Sequence, residues 1–383
     1  MSESKQSSEE SVSVQTVVPA IRSQIEPDDA LMERLRAILE SGYVTNDGPE
    51  LVAFERELAQ WLGVADVVAV GSGSAALVLG LVAARLEPGR VILPSFTYIA
   101  TLNALVQDGH TPLFADIDPD TWTMCPRSVA ALLEAHEDVR AIIAVNTYGV
   151  PADLDALGRL ADEAGCALIS DSAHAIGTES TYGRVHPGPL LQAWSLHATK
   201  VLPAVEGGIV TTHSEHLAQE VRRLRRHGLA SELSSSGPGF NARMDELRAA
   251  VARHSLRRLD EALARRRSYM ERLSRHIELH TSGAFQLQHI PSGVRTNAQN
   301  LAVLWRGPGE VTDAIDALAR EGVEGRRYFW PDLHRLERFK GHVALPVTED
   351  VAERVICLPL HARMDEDTLA RVEAATSSVG QGL

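Results

Sequence analysis

The sequence predicts an α/β protein in which a large domain, built on a mostly parallel seven-stranded sheet, precedes a smaller α+β domain. From about Asp66 onward, short apolar runs alternate with amphipathic stretches, an alternation typical of parallel sheets covered by helices. A chain of 383 residues is also long enough to bury two separate cores. Both observations favour the two-domain α/β architecture.

Seven apolar runs are predicted to be the strands of the sheet, because continuous apolar residues are typical of strands buried on both faces. They cover residues 67–70, 91–93, 112–115, 141–145, 167–169, 193–196 and 208–212. Amphipathic segments lie between several of them, and residues 153–164 carry leucines at helical spacing. The pattern therefore predicts helices that connect successive strands.

The pattern changes near Met244, where a stretch rich in Arg, Glu, Ala and Leu predicts one long helix to about Ile277. Within it, the run Arg265-Arg266-Arg267 is interpreted as a solvated face. Three further stretches predict the smaller domain, and they cover residues 300–305, 311–321 and 355–360.

The predicted domain boundaries follow from these changes. Residues 1–18 are expected to be a disordered tail, since the first dozen or so are rich in Ser, Glu, Lys and Gln. Residues 19–255 are expected to form the large domain, with their N-terminal segment contributing to the small-domain side. Residues 256–383 are expected to form the small C-terminal domain.

Composition limits the possible partners and locations. The 51 acidic and 37 basic residues leave a net charge of −14, which disfavours nucleic acid as a partner. An anionic substrate must therefore meet a local basic site. Cys125, Cys166 and Cys357 fit no metal-ligand or disulfide spacing, which favours a reducing compartment. No apolar run resembles a membrane span or a secretory signal, so we expect a cytoplasmic protein without a membrane partner.

Polar residues follow six of the predicted strands, at the edge where ligands bind in open α/β sheets. A polar surface rim would also place such residues at strand ends, but convergence after six strands favours a site. The residues concerned are 71–74, 95–98, Asp116 and Asp118, Asn146, Asp171 with His174, and Ser195 with His197 and Lys200.

The Gly71-Ser72-Gly73-Ser74 turn follows a strand and opens a predicted helix. Backbone N–H groups and the helix dipole can hold a phosphate there, and Ser74 can add a hydroxyl. The full dinucleotide-binding fingerprint is missing. The turn therefore predicts an anion site without identifying the anion.

Lys200 ends an apolar run in Ser-Leu-His-Ala-Thr-Lys and supplies an amine able to form a Schiff base. To act as a nucleophile it must lose its proton, and desolvation or a nearby cationic ring favours that loss. Asp171 ends another strand, where its carboxylate could pair with a pyridinium N–H or could cap a helix. Tyr98 could stack on a ring or could be an ordinary core aromatic residue.

A spaced series of motifs resembles the DegT/DnrJ/EryC1/StrS aminotransferases, which are sugar aminotransferases that depend on pyridoxal 5′-phosphate (PLP) and have the fold-type-I architecture. The series covers the chain from about residue 40 to 375. Its segments are SGYVTNDGP (41–49), GSAAL (73–77), PSFTY (94–98), DIDPDT (116–121), YGVPAD (148–153), DSAHA (171–175), SLHATK (195–200), FNARMD (240–245) and LPLH (358–361).

The resemblance implies a role in PLP binding for each matching residue. Lys200 would form the Schiff base with the cofactor, and Asp171 would pair with the pyridine nitrogen. His174 would lie against the ring or its phenolic oxygen, and Tyr98 would stack on the outer face. The phosphate would be held by Gly73, Ser74 and Ser195.

The resemblance also implies a homodimer with shared active sites, since Asn241 would reach the phosphate bound by the neighbouring subunit. Candidate contacts to the substrate are Arg243, the Arg326-Arg327-Tyr328 region and His334. Three positions depart from the family pattern, which usually has an acidic residue at Ser170, Asn at Val201 and Gly at Val205. None of these departures removes a catalytic group, but with them the resemblance does not fix the local loop geometry or the substrate preference.

The resulting hypothesis is a PLP-dependent aminotransferase that converts a nucleotide-linked 4-keto-6-deoxyhexose to an amino sugar, in antibiotic or cell-surface sugar biosynthesis. L-Glutamate would donate the amine and leave as 2-oxoglutarate. A 3-keto-sugar or a keto-cyclitol is the alternative acceptor. Two further alternatives are a PLP-dependent sugar dehydratase, whose relatives have His in place of the lysine, and a non-enzymatic regulator that binds PLP.

Overall fold

A computed structural model describes residues 17–231, 234–235, 237, 239–339 and 343–382. The strands are β1 (Val67–Val70), β2 (Arg90–Pro94), β3 (Thr111–Ala115), β4 (Val139–Val145), β5 (Ala167–Asp171), β6 (Leu191–Ser195), β7 (Gly208–Thr211), β8 (Leu229–Ser231), β9 (Ser234–Ser235), β10 (Phe285–Leu287), β11 (Leu301–Trp305) and β12 (Val355–Leu358). The α-helices are α1 (Asp29–Ser41), α2 (Pro49–Leu62), α3 (Gly73–Ala84), α4 (Ile99–Gln107), α5 (Pro126–Ala135), α6 (Leu154–Ala164), α7 (Glu215–Leu224), α8 (Glu246–Arg257), α9 (Leu259–His280), α10 (Val311–Arg320), α11 (Pro346–Arg354) and α12 (Glu366–Gly382).

Within the described ranges, seven strands form the main sheet in the order β1-β7-β6-β5-β4-β2-β3. Only β7 runs against its neighbours, since it pairs antiparallel with both β1 and β6, whereas the remaining pairs are parallel. The predicted mostly parallel seven-stranded sheet is therefore confirmed. Each of the seven apolar runs that predicted a strand overlaps one strand of this sheet.

The strands are largely apolar because helices cover both faces of the sheet. The residues of β1, β6 and β7 are buried throughout. Helix α3 packs against β6 and β7 on one face, whereas α6 packs against β4 and β5. The carboxyl ends of β1, β5 and β6 are left at one edge, where the candidate site lies.

A second, antiparallel sheet has the order β10-β11-β12 and packs with α9, α10, α11 and α12. Residues 1–16 of the predicted tail lie outside the described residues, whereas Val18 is buried and pairs with Val323. The N-terminal segment thus contacts the part of the chain that forms the second sheet. The domain boundary predicted between residues 255 and 256 lies inside α8 and stays a prediction.

The prediction of one long helix near 244–277 is wrong, because α8 and α9 are separate helices that meet at Arg258. The two halves pack on different partners, since α8 lies on α2 and α9 lies on α12.

The interpretation of the arginine run as a solvated face is also wrong. Arg265 pairs with Glu261 on the surface, but Arg266 is buried and donates to the carbonyls of Ala298 and Gln299. Arg267 donates to two further carbonyls. These guanidinium groups satisfy loop carbonyls that would otherwise be buried without a donor.

Among the described residues, no helix is both long and apolar enough to cross a membrane.

Candidate active site

A cavity of about 450 Å³ lies at the carboxyl ends of the strands and brings together most of the residues predicted to bind the cofactor. Those that line it are Gly73, Ser74, Tyr98, Asp171, His174, Ser195 and Lys200. Asn241 does not line it. A separate cavity of about 390 Å³, lined by Tyr182 and His186, contains none of the residues predicted to bind the cofactor, although Asp118 and Asn146 of the strand-end set line it.

Lys200 lies in the loop that follows β6 and is one of three lysines in the chain, with Lys5 and Lys340. Burial lowers the pKa of Lys200 to about 8, although the charge of Asp171 opposes this shift. Desolvation penalises the ammonium form, so a sizeable fraction of the amine is neutral near pH 8. The loop therefore presents an amine that can react as a nucleophile.

Asp171 ends β5 as a buried carboxylate whose orientation is fixed by two hydrogen bonds. Thr101 donates its hydroxyl to Oδ2 at 2.7 Å, and the N–H of Ala173 donates to Oδ1 at 3.1 Å. Burial raises the pKa of Asp171, whereas these hydrogen bonds and the charge of Lys200 lower it. The residues that follow form turns and no helix, so the alternative role as a helix cap does not apply.

The ring of His174 packs parallel to two aromatic rings. Its centroid lies 5.6 Å from that of Phe329 and 6.1 Å from that of Tyr148. Burial, and then the charge of Lys200, holds the pKa of His174 well below its usual range. The imidazole is therefore neutral at physiological pH, and its position is set by stacking.

The start of α3 lies at the cavity with Ser72 and Ser74 in its first turn. Ser72 caps the helix by accepting a hydrogen bond from the N–H of Ala75 at 3.1 Å, which leaves the exposed Ser74 hydroxyl at the cavity. A Cβ at position 73 would lie 2.8 Å from that of Ser195, so the glycine lets Ser195 approach the helix end. The first N–H groups of a helix lack partners within it and favour an anion.

Tyr98 precedes α4 at the mouth of the cavity with 59% of its surface exposed. The alternative of a core aromatic residue is therefore wrong for this position. An exposed ring beside a cavity is available to stack on a bound ligand.

Asn241 is exposed and held by Arg243, whose Nε donates to Asn241 Oδ1 at 3.0 Å. Arg243 also donates to Oδ1 of Asn46. Because a guanidinium only donates, the Asn241 oxygen must face Arg243. The amide NH₂ of Asn241 therefore points away from Arg243 and can donate a hydrogen bond to another group.

The other candidate substrate contacts, Arg326, Arg327 and His334, have different partners in the structure. Arg326 donates to the hydroxyl of Tyr328, which lines the cavity, at 3.2 Å. Arg327 instead stacks over Trp330 and donates to backbone carbonyls. His334 is buried and hydrogen bonds to Ser95. Of Arg326, Arg327 and His334, it is therefore Arg326 that hydrogen bonds to a residue lining the cavity.

The three departures from the family pattern have distinct surroundings. Ser170 shares hydrogen bonds with Ser172 and Asn146 in a buried cluster. Val201 is buried directly after the lysine. Val205 is exposed and has a φ of 67°, a left-handed conformation that disfavours β-branched side chains and suits glycine.

The sequence did not predict four residues that contact the site residues or line the cavity, because nothing in the local sequence distinguishes them. Thr101 orients Asp171 from α4, and Phe329 stacks on His174. Gln299 and Asn300 reach the cavity from the segment before β11. The predicted apolar run at 300–305 began at Asn300, but only the fold shows that this residue faces the cavity.

Known proteins share this fold and are similar to this chain in sequence over nearly its whole length. The model of the DegT/DnrJ/EryC1/StrS aminotransferase family matches residues 26–377. The dTDP-4-amino-4,6-dideoxy-D-glucose transaminase of Escherichia coli is 25% identical over 365 residues, which are 93% of this chain and 96% of that protein.

Two solved structures are similar over nearly their whole length. DesI, crystallised in the presence of its TDP-sugar product, is 33% identical with a TM-score of 0.87, covering 96% of this chain and 94% of its own. DesV of S. venezuelae is 28% identical with a TM-score of 0.86, covering 92% of this chain and 95% of its own. With the family match over nearly the whole chain, these similarities establish that the protein is an aminotransferase and belongs to the DegT/DnrJ/EryC1/StrS aminotransferase family.

Proposed function

We propose that this aminotransferase uses PLP to transfer the amino group of L-glutamate to a nucleotide-linked 4-keto-6-deoxyhexose. The observation that carries the proposal is the convergence of a desolvated lysine, a buried carboxylate and an anion-binding helix end in one cavity. A cofactor with an aldehyde, a basic ring nitrogen and a phosphate matches these three groups.

The residues present fit PLP. Gly73, Ser74 and Ser195 would hold the phosphate, since the absence of a Cβ at position 73 keeps the cradle open. Asp171 would pair with the pyridine nitrogen, and Tyr98 would cover the ring. When bound, PLP supplies an aldehyde that accepts the amino group and a ring that withdraws electrons.

Lys200 is proposed to move protons during the transfer. Its amine, with a pKa of about 8, can remove the proton from the α-carbon of the amino donor. In the second half of the transfer, the same amine would deliver a proton to the sugar carbon that receives the amino group. His174 stays neutral, so it would orient the bound ring without competing for this proton. Phe329 and Tyr328 line the cavity, and their rings would help to keep water from the reacting atoms.

The sugar substrate is proposed from the relatives. The E. coli relative is named for a dTDP-sugar, and DesI was crystallised with a TDP-sugar product. Among the described residues that line the cavity, Lys200 is the only lysine or arginine. Anionic groups of the substrate would therefore need Arg326, or Arg243 of a neighbouring subunit, which supports the proposed homodimer with shared sites.

The test is a panel of acceptors incubated with PLP and L-glutamate: a 4-keto-6-deoxy nucleotide sugar, a 3-keto nucleotide sugar and a keto-cyclitol. We expect the 4-keto sugar to give the amino sugar and 2-oxoglutarate in equal amounts, measured by mass spectrometry. We expect Lys200→Ala to give neither product, because no other described residue that lines the cavity carries an amine that could form the Schiff base.

Lys340→Ala is the matched control, since it removes another of the three lysines, and it should keep the activity. Amination of only the 3-keto sugar or the cyclitol would overturn the choice of substrate. Full turnover by Lys200→Ala would overturn the assignment of the lysine.

A further inference from the structure

The side chain of Gln299 pairs with both peptide groups that flank Lys200. Its Nε2 donates to the carbonyl of Thr199 at 3.1 Å, and its Oε1 accepts from the N–H of Val201 at 3.2 Å. Gln299 is 4% exposed, so water does not compete for these bonds. The amide thus holds the main chain on both sides of the lysine, as a neighbouring strand would.

This contact matters because, although the lysine loop has backbone hydrogen bonds of its own and buried apolar residues, Gln299 adds hydrogen bonds to the two peptide groups beside Lys200. Residues 196–206 contain no helix or strand in the structure. Among the described residues, the Nζ of Lys200 has no side-chain hydrogen bond that would hold it in place. Its position is therefore set through the backbone, where the Lys200 N–H donates to the carbonyl of His197 at 2.8 Å. Gln24 donates to the carbonyl of Val201 from the N-terminal segment.

Gln299 is itself held rigidly. Its N–H donates to Oδ1 of Asn297 at 3.0 Å, and its carbonyl accepts from the buried Arg266 at 2.8 Å. Asn297 also donates to the carbonyls of His174 and Ile176. One short segment therefore holds the backbone of both the catalytic lysine and the stacked histidine.

We propose that Gln299 is a positioning residue that fixes Lys200 for reaction by hydrogen bonding to the peptide groups on either side of it. The inference rests on the proposed function, since it assumes that Lys200 reacts with PLP. It adds that the geometry of the lysine depends on a side chain from the segment before the second sheet.

Two substitutions separate positioning from packing. Gln299→Met keeps the volume and loses both hydrogen bonds. Gln299→Glu keeps the shape, but its carboxylate has no donor for the carbonyl of Thr199, whereas the protonated acid has one donor and one acceptor. The control is Gln288→Glu, because Gln288 is a buried amide that donates to the carbonyls of Thr121 and Thr147 and does not touch the lysine loop.

The first readout is covalent and independent of turnover. The apo-protein is mixed with PLP, trapped with borohydride at set times, and the pyridoxyl group on Lys200 is quantified by peptide mass spectrometry. The second readout is kcat and KM for L-glutamate across pH, each divided by the wild-type value. Urea unfolding gives the folded fraction of each variant.

We expect Gln299→Met to trap about ten- to hundredfold more slowly and to lose kcat by a similar factor, with KM changed less than kcat. Gln299→Glu should share this defect at high pH and approach the wild type as the carboxyl is protonated at low pH. Gln288→Glu should show no such pH-dependent recovery of the trapping rate.

Wild-type trapping rates in folded Gln299→Met would overturn the inference. So would a loss of folding in both variants at every pH, since Gln299 would then be structural. Failure of the wild type to form the adduct at Lys200 would instead overturn the proposed function, so the two failures are distinguishable.

Discussion

The reactivity of Lys200 depends on its surroundings more than on its side chain. The ordinary pKa of a lysine is about 10.4, and burial in the cavity lowers the pKa of Lys200 to about 8. The charge of Asp171 acts in the opposite direction and limits the shift. The site thus balances a desolvated amine against a carboxylate needed elsewhere in the cavity.

This balance predicts the pH dependence of labelling. In the apo-protein, the rate of Lys200 modification by trinitrobenzenesulfonate should rise with pH to a plateau with a midpoint near 8, because the reactive neutral amine becomes dominant above the pKa. The rate is followed by mass spectrometry of the peptide that contains the lysine. A lysine in a short model peptide, with its midpoint near about 10.4, is the reference.

Asp171→Asn should move the Lys200 midpoint further down, since the carboxylate favours the ammonium form. A midpoint for the wild type that coincides with the model peptide would contradict the burial of the amine.

At the scale of elements, two serines in the turn that begins helix α3 have different roles. Ser72 accepts from the N–H of Ala75 and caps the helix, whereas Ser74 is exposed at the cavity. Substituting Ser72 with Ala should therefore lower the free energy of unfolding by about 1 kcal/mol. Substituting Ser74 with Ala should leave stability nearly unchanged and weaken PLP binding about tenfold, as expected for one lost hydrogen bond to a charged group.

Each serine variant serves as the control for the other. Urea unfolding of the apo-proteins and fluorescence titration with PLP measure the two effects separately. If Ser74→Ala lost stability while its PLP affinity stayed that of the wild type, the roles would be reversed.

The elements show what could be predicted from the sequence and what could not. Apolar runs located the strands because burial on both faces leaves few polar residues along them. The break at Arg258 was not predictable, since arginine is a good helix former and the cause is the different partners of α8 and α9. The prediction for the arginine run was wrong because Arg265 and Arg266 are the same residue type, but Arg265 is exposed and Arg266 is buried.

The site was predictable where a residue follows a strand. Asp171 and Ser195 end strands, and Lys200 lies shortly after one, so topology brings them to one edge. Gln299 was not predictable, because an amide that pairs with a loop 98 to 100 residues earlier leaves no local spacing signal. Phe329 likewise meets His174 only through the tertiary fold.

At the scale of the whole molecule, the proposed homodimer predicts complementation between two inactive variants. If each site takes Lys200 from one subunit and Asn241 from the other, a mixed dimer of Lys200→Ala and Asn241→Ala holds one intact site. Random mixing makes half the dimers mixed, so about a quarter of the wild-type number of active sites should appear. Amination is assayed after the variants are co-refolded in equal amounts.

Each variant refolded alone is the control and should stay below the mixture. A mixture no more active than the sum of its separate parts would contradict shared sites, and a monomer in light scattering would do so independently.

The pairing of Gln299 with the lysine loop also has a consequence for biosynthesis. Lys200 is translated about a hundred residues before Gln299. Synthesis of the segment between them takes about 5 to 20 s at about 5–20 residues per second. The two hydrogen bonds from Gln299 to the lysine loop therefore form only after most of the chain has been made.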